Sequence, residues 1–310
     1  MDSAFKVTQN GQTYDYRVPA TLNLTDATNY FSVHYKIVSP LVQSGRHVIG
    51  ILNDGRQELF LKLATTQGIS ILTKNEFTWN EAFNKLPHPK FQVPKNISSG
   101  EYNGLFYSLT EKISSQPLAD TNFKIDPTFQ SLIPEIVDLS EYIMSLKMAG
   151  IAKPDVVTGA TPQAWFVNKT KAWLDAIPVT MQSQYELLSL LGIVETGASA
   201  LATKPRHGDL TPWHMGKTMS GIALFDGEHA MSDGVELYDI GYLIQRVHTI
   251  SQSPDLALKI FLEAEKRGHQ TIKLKTILAA RAIGGFLDAH LAGKTDFTHE
   301  IQFKDWAKSL

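Results

Sequence analysis

Two aspartates in this sequence stand where carboxylates can do chemistry. The first, Asp209, lies in HGDLTPWH, the run from His207 to His214, whose turn-forming residues argue against a plain helix or strand. The second, Asp226, follows a short apolar run that begins at Ile222. In phosphoryl transfer, one carboxylate takes or orients the proton of the attacking hydroxyl and another holds magnesium on the phosphates. The pair is what such a site needs, although either aspartate could simply form a turn.

The first hundred or so residues are rich in strand patterns separated by tight turns, such as Asn53-Asp54-Gly55 and Ser98-Ser99-Gly100. The predicted strands lie at 5–8, 14–18, 35–38, 47–52, 58–64, 91–93 and 104–109. Between them, the segment 72–86 has the helical period, with Leu72, Trp79, Phe83 and Leu86 on one face. This part of the chain is therefore predicted to be a small sheet-rich unit with one helix.

After about residue 112 the pattern changes from strands to helices. The predicted helices lie at 128–148, 163–175, 182–202, 236–250, 254–267 and 270–292. The exception is the stretch 205–235, which is predicted to be loop, strand and loop, and which contains both aspartates. The chain is therefore predicted to be an α+β protein with a small sheet-rich lobe and a larger helical lobe.

Composition limits the possible classes of protein. The 310 residues are 43% hydrophobic and 19% charged, which is typical of a globular protein. A formal net charge of -2 gives no overall attraction to nucleic acid or to an anionic membrane. The absence of cysteine excludes disulfides, thiolate zinc sites and cysteine nucleophiles. Because Met1 to Lys6 lacks a signal-peptide pattern and no apolar run is long enough to span a bilayer, we expect a cytoplasmic protein without nucleic-acid or membrane partners.

Three short motifs resemble those of a known enzyme family. His207-Gly208-Asp209-Leu210, Phe225-Asp226-Gly227-Glu228 and Tyr238-Asp239-Ile240-Gly241 are similar, in order and spacing, to motifs of the aminoglycoside and choline kinase type of phosphotransferase. That family has a two-lobed, protein-kinase-like fold. The resemblance implies a nucleotide-binding lobe at 1–112 and a helical lobe with the catalytic loop at 113–310.

The resemblance also assigns roles in the helical lobe. It implies that Asp209 is the catalytic base and that Asp226 binds magnesium. Asp239 would brace the catalytic loop from the start of the following helix without taking part in chemistry. We expect His207 to be structural, holding the loop by hydrogen bonds.

The first lobe supports this interpretation through a lysine. Lys62 lies between two leucines in a predicted strand, and a partly buried lysine needs a charge partner. Glu76, near the inner face of the next helix, can supply it, and Glu81 is the alternative. In the family a similar lysine contacts the nucleotide phosphates. The competing interpretation is a surface lysine whose stem packs on the sheet.

The remaining nucleotide contacts follow from the resemblance alone. Glu111 and Ile113 lie in a segment similar to the hinge that binds adenine through backbone groups. Ser44 and Gly45 are a weak counterpart of the glycine-rich phosphate loop. Together these residues imply ATP and magnesium as cofactors, and a small molecule with a hydroxyl group as acceptor.

His214 stands where the family has asparagine. Imidazole is a softer ligand that magnesium rarely prefers, so His214 is either a substitute metal or phosphate contact or a packed loop residue. This leaves two alternatives to an active kinase. One is a pseudokinase that binds nucleotide or protein, and the other is a zinc or manganese hydrolase using His207, Asp209, His214 and His229.

Overall fold

The computed structural model of the protein describes residues 3–152 and 154–310. Met1 and Asp2, which begin the N-terminal segment considered above, and Lys153 lie outside the described residues. The chain folds into a sheet-rich N-terminal region followed by a helical C-terminal region. The predicted α+β, two-lobed class is therefore confirmed.

The N-terminal region is built mainly from short antiparallel strands. In chain order its elements are β1 (Lys6–Gln9), β2 (Gln12–Asp15), α1 (Leu24–Ser32), β3 (Lys36–Ile37), β4 (Val42–Ser44), β5 (His47–Asn53), β6 (Glu58–Ala64), α2 (Gln67–Asn84), β7 (Phe91–Gln92), β8 (Asn96–Tyr102), β9 (Leu105–Glu111) and β10 (Gln116–Pro117). The main sheet has the order β3-β5-β6-β9-β8, and β4 also pairs with β5. The strands predicted from sequence are present with small shifts of their ends, whereas α1 was not predicted.

The hairpin of β5 and β6 determines where Lys62 points. Asp54 closes its turn, because Oδ1 accepts hydrogen bonds from the backbone N–H groups of residues 56 and 57 at 2.8 and 2.9 Å. Along β6, Leu61 and Leu63 are buried on one face of the sheet, and Lys62 lies between them on the other. Only 12% of the Lys62 side chain is exposed. The strand period therefore turns this lysine into the interior of the molecule.

Two predictions in the N-terminal region need correction. The helix predicted at 72–86 begins earlier, as α2, because Thr66 caps it with a side-chain hydrogen bond, and Leu86 lies beyond its end and is 36% exposed. The turn predicted at Ser98-Ser99-Gly100 is wrong, since these residues lie within β8 and pair with β9. The lack of a side chain at Gly100 lets Tyr107 pack against the strand, because a Cβ atom there would approach the Tyr107 hydroxyl to 2.6 Å.

The C-terminal region contains most of the helices. In chain order its elements are α3 (Phe129–Ser145), α4 (Pro162–Asp175), α5 (Val179–Gln184), α6 (Leu187–Gly197), β11 (Thr203–Arg206), β12 (Met215–Lys217), β13 (Ile222–Leu224), β14 (Met231–Val235), α7 (Tyr238–Thr249), α8 (Pro254–Lys266), α9 (Thr271–Leu291) and α10 (Thr298–Ser309). The single helix predicted at 182–202 is wrong. Glu186 adopts a left-handed φ of 53° and separates α5 from α6. Helix α10 was not predicted.

Helix α9 is the centre of the C-terminal region. Its residues from Thr276 to Leu287 are buried without interruption, as expected for a helix that packs on all sides. Its neighbours are α4, α6, α7 and α10. None of the helices formed by the described residues combines the length and the apolar character needed to cross a membrane.

Contacts join the two regions. Trp79 and Phe83 of α2 belong to the core of the C-terminal region, and β7 pairs in parallel with β13. The lobe boundary between residues 112 and 113 stays a prediction, and these contacts connect the chain on either side of it.

His248 on α7 should make stability depend on pH. Its ring stacks on Trp306 of α10 at a centroid distance of 6.0 Å, and burial lowers its pKa to about 4. Below about pH 6.5 the unfolded chain binds a proton that the folded chain excludes. The free energy of unfolding should therefore fall by roughly 1 to 2 kcal/mol between pH 6.5 and pH 4 from this group, after allowing for solvent screening.

Urea unfolding at several pH values checks this expectation. His248→Gln should remove that part of the pH dependence, whereas the control His34→Gln, at an exposed histidine, should leave the wild-type dependence in place. An unchanged pH dependence in His248→Gln would contradict the assignment.

Candidate active site

Asp239 holds the loop that carries Asp209. At the start of α7, its two carboxylate oxygens accept hydrogen bonds from the backbone N–H groups of His207 and Gly208, both at 2.8 Å. Burial raises the pKa of Asp239 to about 6, against the effect of these hydrogen bonds. His207 is fully buried, and burial lowers its pKa to about 4, so its ring is neutral at pH 7 and accepts from the Asp209 N–H at 3.4 Å. The loop is therefore fixed from inside the helical lobe.

The left-handed backbone conformation of Asp226 sets the direction of the second carboxylate. Asp226 lies two residues after the end of β13 and has a φ of 64°, which is uncommon for a residue with a side chain. The next residue, Gly227, lies so close to Trp79 that a Cβ atom would approach its Cδ1 to 2.3 Å. The chain thus turns sharply at the end of the strand and presents the Asp226 carboxylate to the space between the lobes.

Lys62 connects two carboxylates. Its ammonium group lies 2.5 Å from Glu76 Oε2 and 2.5 Å from Asp226 Oδ1. Glu228 Oε2 lies farther away, at 3.9 Å. The predicted partner Glu76 is therefore the one in contact, while Glu81 is exposed.

Attraction between the opposite charges of this cluster opposes the desolvation cost of burying them. Burial lowers the pKa of Lys62, but Asp226 and Glu76 outweigh it and hold the pKa above its usual value. Burial also acts to raise the pKa of Asp226, yet Lys62 and His214 hold it well below the usual range. For Glu76 burial has the larger effect, so its pKa is raised. Lys62 and Asp226 are therefore a charged pair at pH 7.

A second ion pair lies beside the first and was not predicted. Arg46, directly after Gly45, donates from Nη2 to Glu228 Oε1, and Glu228 is fully buried. Asn75 of α2 donates to the backbone carbonyl of Glu228 at 3.1 Å. In the sequence, the only feature that singled out Glu228 was its position as the last residue of the Phe225-Asp226-Gly227-Glu228 motif. Nothing near it indicated Arg46 as its partner, because the two residues are far apart in the chain.

His214 contacts both aspartates. Its Nδ1 lies 3.5 Å from Asp209 Oδ2 and its Nε2 lies 3.3 Å from Asp226 Oδ2. Burial lowers the pKa of His214, but the two carboxylates outweigh it and raise the pKa above the usual value. One ligand atom from each of these three residues lies within 4.8 Å of the others, close enough to share a metal ion.

The ligand set considered for a hydrolase is not brought together. Among the described residues the metal-competent group is Asp209, His214 and Asp226, and neither His207 nor His229 belongs to it.

A cavity of about 350 Å³ lies beside the Lys62 ammonium group. Its lining brings together most of the residues predicted to bind nucleotide, namely Ser44, Lys62, Glu76, Glu111 and Ile113, together with Asp226. Gly45 forms the adjoining turn between β4 and β5, with a φ of 56°. The apolar side chains of Ile49, Phe60 and Phe225 complete the wall. The Glu111 N–H already donates to the Lys95 carbonyl at 2.9 Å, so it is engaged within the lobe.

A second cavity of about 400 Å³ lies on the side of Asp209. Gly208 and Asp209 form part of its wall, and most of the rest comes from aromatic and basic side chains. His214 links the two cavities. It contacts Asp209, which lines this cavity, and Asp226, which lines the other.

Solved structures resemble this one over nearly the whole chain. Aminoglycoside phosphotransferase APH(4)-Ia aligns with a TM-score of 0.65 at 11% identity, covering 92% of this chain and 96% of that one. The GDP and kanamycin complex of APH(2")-IIia gives 0.60 at 14% identity, with coverages of 93% and 99%. Choline kinase LicA from Streptococcus pneumoniae gives 0.55 at 14% identity, with coverages of 92% and 97%. The chain has the aminoglycoside phosphotransferase fold.

At these identities the likeness concerns the fold. No protein-family model matches the chain, and no curated protein matches it in sequence. The resemblance inferred from the motifs at 207–210, 225–228 and 238–241 is confirmed at the level of this phosphotransferase fold.

Gly208 should be essential to the shape of the loop. Its φ is 84°, and a Cβ atom would lie 2.3 Å from the His229 carbonyl oxygen. Gly208→Ala combines left-handed strain with overlap against backbone, so it should lower the free energy of unfolding by roughly 2 to 4 kcal/mol. Gly55→Ala is the matched control, because Gly55 has a φ of 90° with nothing within 4 Å, and should cost about 1 to 2 kcal/mol. Chemical denaturation measures both, and equal losses would contradict the steric argument.

Proposed function

We propose that the protein is an ATP- and magnesium-dependent phosphotransferase that transfers the γ-phosphoryl group to a hydroxyl of a small molecule. One observation carries the proposal. Asp209 lines one cavity, Asp226 lines the other, and His214 contacts both carboxylates. A transfer between two bound substrates needs this arrangement of two adjoining compartments with charged groups between them.

The cavity beside Lys62 suits a nucleotide. Ile49, Phe60 and Phe225 offer an apolar wall to a base, with Glu111 and Ile113 at the hinge. Lys62 brings a positive charge to the phosphate end, where Ser44 and Gly45 form the turn. Structures with this fold hold ADP or AMP-PNP together with hygromycin B, or GDP together with kanamycin, which supports a nucleotide and an acceptor bound side by side here.

Asp209 is the proposed base of the reaction. It accepts the proton of the acceptor hydroxyl, and the hydroxyl oxygen forms a bond to the γ-phosphorus. The bond between the γ-phosphorus and the β,γ-bridging oxygen breaks, and that oxygen leaves as part of ADP. Lys62 offsets the negative charge of the phosphates during this exchange. Asp239 acts as a positioning residue through the backbone of His207 and Gly208.

The residues at the junction fit magnesium in part. The carboxylates of Asp226 and Asp209 are oxygen donors of the kind that magnesium prefers, while His214 offers nitrogen. Asp226 is the proposed main ligand, with Asp209 and His214 beside it. When bound, the ion would neutralise charge on the phosphate oxygens.

A pseudokinase is the second candidate, and the position of His214 favours it. Its raised pKa means that an imidazolium can lie between Asp209 and Asp226 and replace a metal ion there. A protein of this kind would bind nucleotide without turnover.

Asp209→Asn tests the proposed base. The substitution removes the proton acceptor and keeps the shape, so turnover should fall by about 10² to 10⁴-fold while nucleotide affinity stays constant. ATP hydrolysis or transfer to an acceptor gives the rate, and titration with AMP-PNP gives the affinity. The control Asp233→Asn, at an exposed aspartate, should keep the wild-type rate. Full turnover in Asp209→Asn would remove this residue from the mechanism.

His214→Asn separates the two candidates. If the protein is a kinase, AMP-PNP should raise the melting temperature of the wild type only with magnesium, and the variant should need several-fold less magnesium because an amide oxygen replaces imidazole. Thermal-shift titration of both proteins measures this. Nucleotide stabilisation of the wild type without magnesium, together with no turnover, would instead support the pseudokinase.

A further inference from the structure

The cavity beside Asp209 has a strongly basic wall. Its charged lining residues comprise six cationic side chains and two acidic ones: Arg17, Arg46, Lys169, Arg206, Arg246 and Arg281 against Asp209 and Asp288. This excess is local, because the chain as a whole carries a formal net charge of -2. A concentration of like charge around one concave site indicates the charge of its ligand.

Two of the cations are balanced by acids outside the lining. Lys169 lies 2.7 Å from the buried carboxylate of Asp155. Arg46 pairs with Glu228. These two pairs can be understood as parts of the structure, so they do not require a ligand.

Three arginines share one carboxylate. Asp288 lies 2.7 Å from Arg246, 3.7 Å from Arg17 and 4.0 Å from Arg281. Arg246 and Arg281 come from α7 and α9, the most deeply buried helices of the C-terminal region. A single negative charge therefore faces three positive charges, which leaves an excess of positive charge in this wall.

Arg206 has no acidic partner within 4.0 Å among the described residues. It is only 4% exposed, lies 3.8 Å from the ring centre of Tyr238 and 5.0 Å from that of Trp165, and donates from Nη2 to the Met231 sulfur. Its Nε and Nη1 are buried without a hydrogen-bond partner in the described chain. Buried guanidinium nitrogens without partners are costly, and the rings of Tyr238 and Trp165 offset part of that cost. An anion in the cavity next to Arg206 would offset more of it.

We propose that the acceptor is an anionic small molecule, an alcohol that carries a phosphate or carboxylate group. This proposal rests on the phosphotransferase function given above. The anion would bind in the wall formed by Arg17, Arg206, Arg246 and Arg281, and its hydroxyl would face Asp209. The hydroxyl proton passes to Asp209, the hydroxyl oxygen bonds to the γ-phosphorus, and the bond from that phosphorus to the bridging oxygen breaks to release ADP. The anionic group takes no part in the chemistry. A polycationic acceptor such as kanamycin would be repelled.

Binding measurements with the nucleotide cavity filled test this directly. Protein saturated with AMP-PNP and magnesium is titrated calorimetrically with glucose 6-phosphate, gluconate, glucose and kanamycin, so that anions cannot occupy the nucleotide cavity. At least one anionic probe should bind about tenfold or more tightly than glucose, and kanamycin should bind no better than glucose. The two anionic arms distinguish phosphate from carboxylate. Glucose or kanamycin binding as tightly as the anions, or no anion binding, would overturn the proposal.

Variants identify the residues responsible. Arg206→Gln and Arg281→Gln should each weaken the anionic probe by about tenfold or more and leave glucose unchanged. Arg267→Gln is the matched control, because Arg267 is ion-paired with Asp138, outside the cavity. Arg17→Gln is a second test should the buried substitutions unfold the protein, since 37% of the Arg17 side chain is exposed. A folded Arg206→Gln or Arg17→Gln with wild-type anion affinity would contradict the assignment.

The failure of this proposal differs from the failure of the proposed function. AMP-PNP is not turned over, so anion binding is measured without phosphoryl transfer. If no ATP turnover occurs with any acceptor but anions bind in an Arg206-dependent way, the phosphotransferase function fails and the anion site stands. If ATP is consumed with glucose or kanamycin in preference to the anionic probes, the function stands and the anionic acceptor fails.

Discussion

The ammonium group of Lys62 joins carboxylates from two distant parts of the chain. Glu76 and Asp226 both lie 2.5 Å from it, and without it two partly buried acids would be left close together without a cation. The sheet, helix α2 and the end of β13 all have to be placed correctly for this contact. Under the proposed function, nucleotide phosphates would compete for the same ammonium group, which would free Asp226 to bind a cation. The Lys62–Asp226 ion pair therefore stabilises the folded protein and also consists of two residues that the proposed reaction uses.

Much of this cluster could be predicted because its signals are local. The alternation of Leu61, Lys62 and Leu63 placed the lysine on a sheet face, and the helical period placed Glu76 toward it. The apolar run before Asp226 predicted a strand end in the same way. The chemical roles of these residues remain predictions, since the geometry brings them together without testing what they do.

Other features had no local signal. Arg46 and Glu228 are 182 positions apart, and neither sequence neighbourhood indicates the other. Glu186 breaks a predicted helix with a left-handed φ, although no glycine or proline marks the place. The arginines of the cavity beside Asp209 come from two loops, a strand and two helices. Only the tertiary structure places them on one wall, so the motifs predicted a hydroxyl acceptor while the charge proposed for it could not be predicted.

Helix α2 is fastened to the larger lobe at several points. Asn75 donates to the backbone carbonyls of Glu228 and Ala230 at 3.1 and 2.9 Å, and the buried Trp79 packs against Gly227 and the edge of His207. The helix cannot swing outward without breaking these contacts. Glu76 therefore cannot move away from Lys62 by a movement of α2 alone. Because α2 also packs on β6 and β9, the sheet and the helix can move relative to each other only by giving up a second set of contacts.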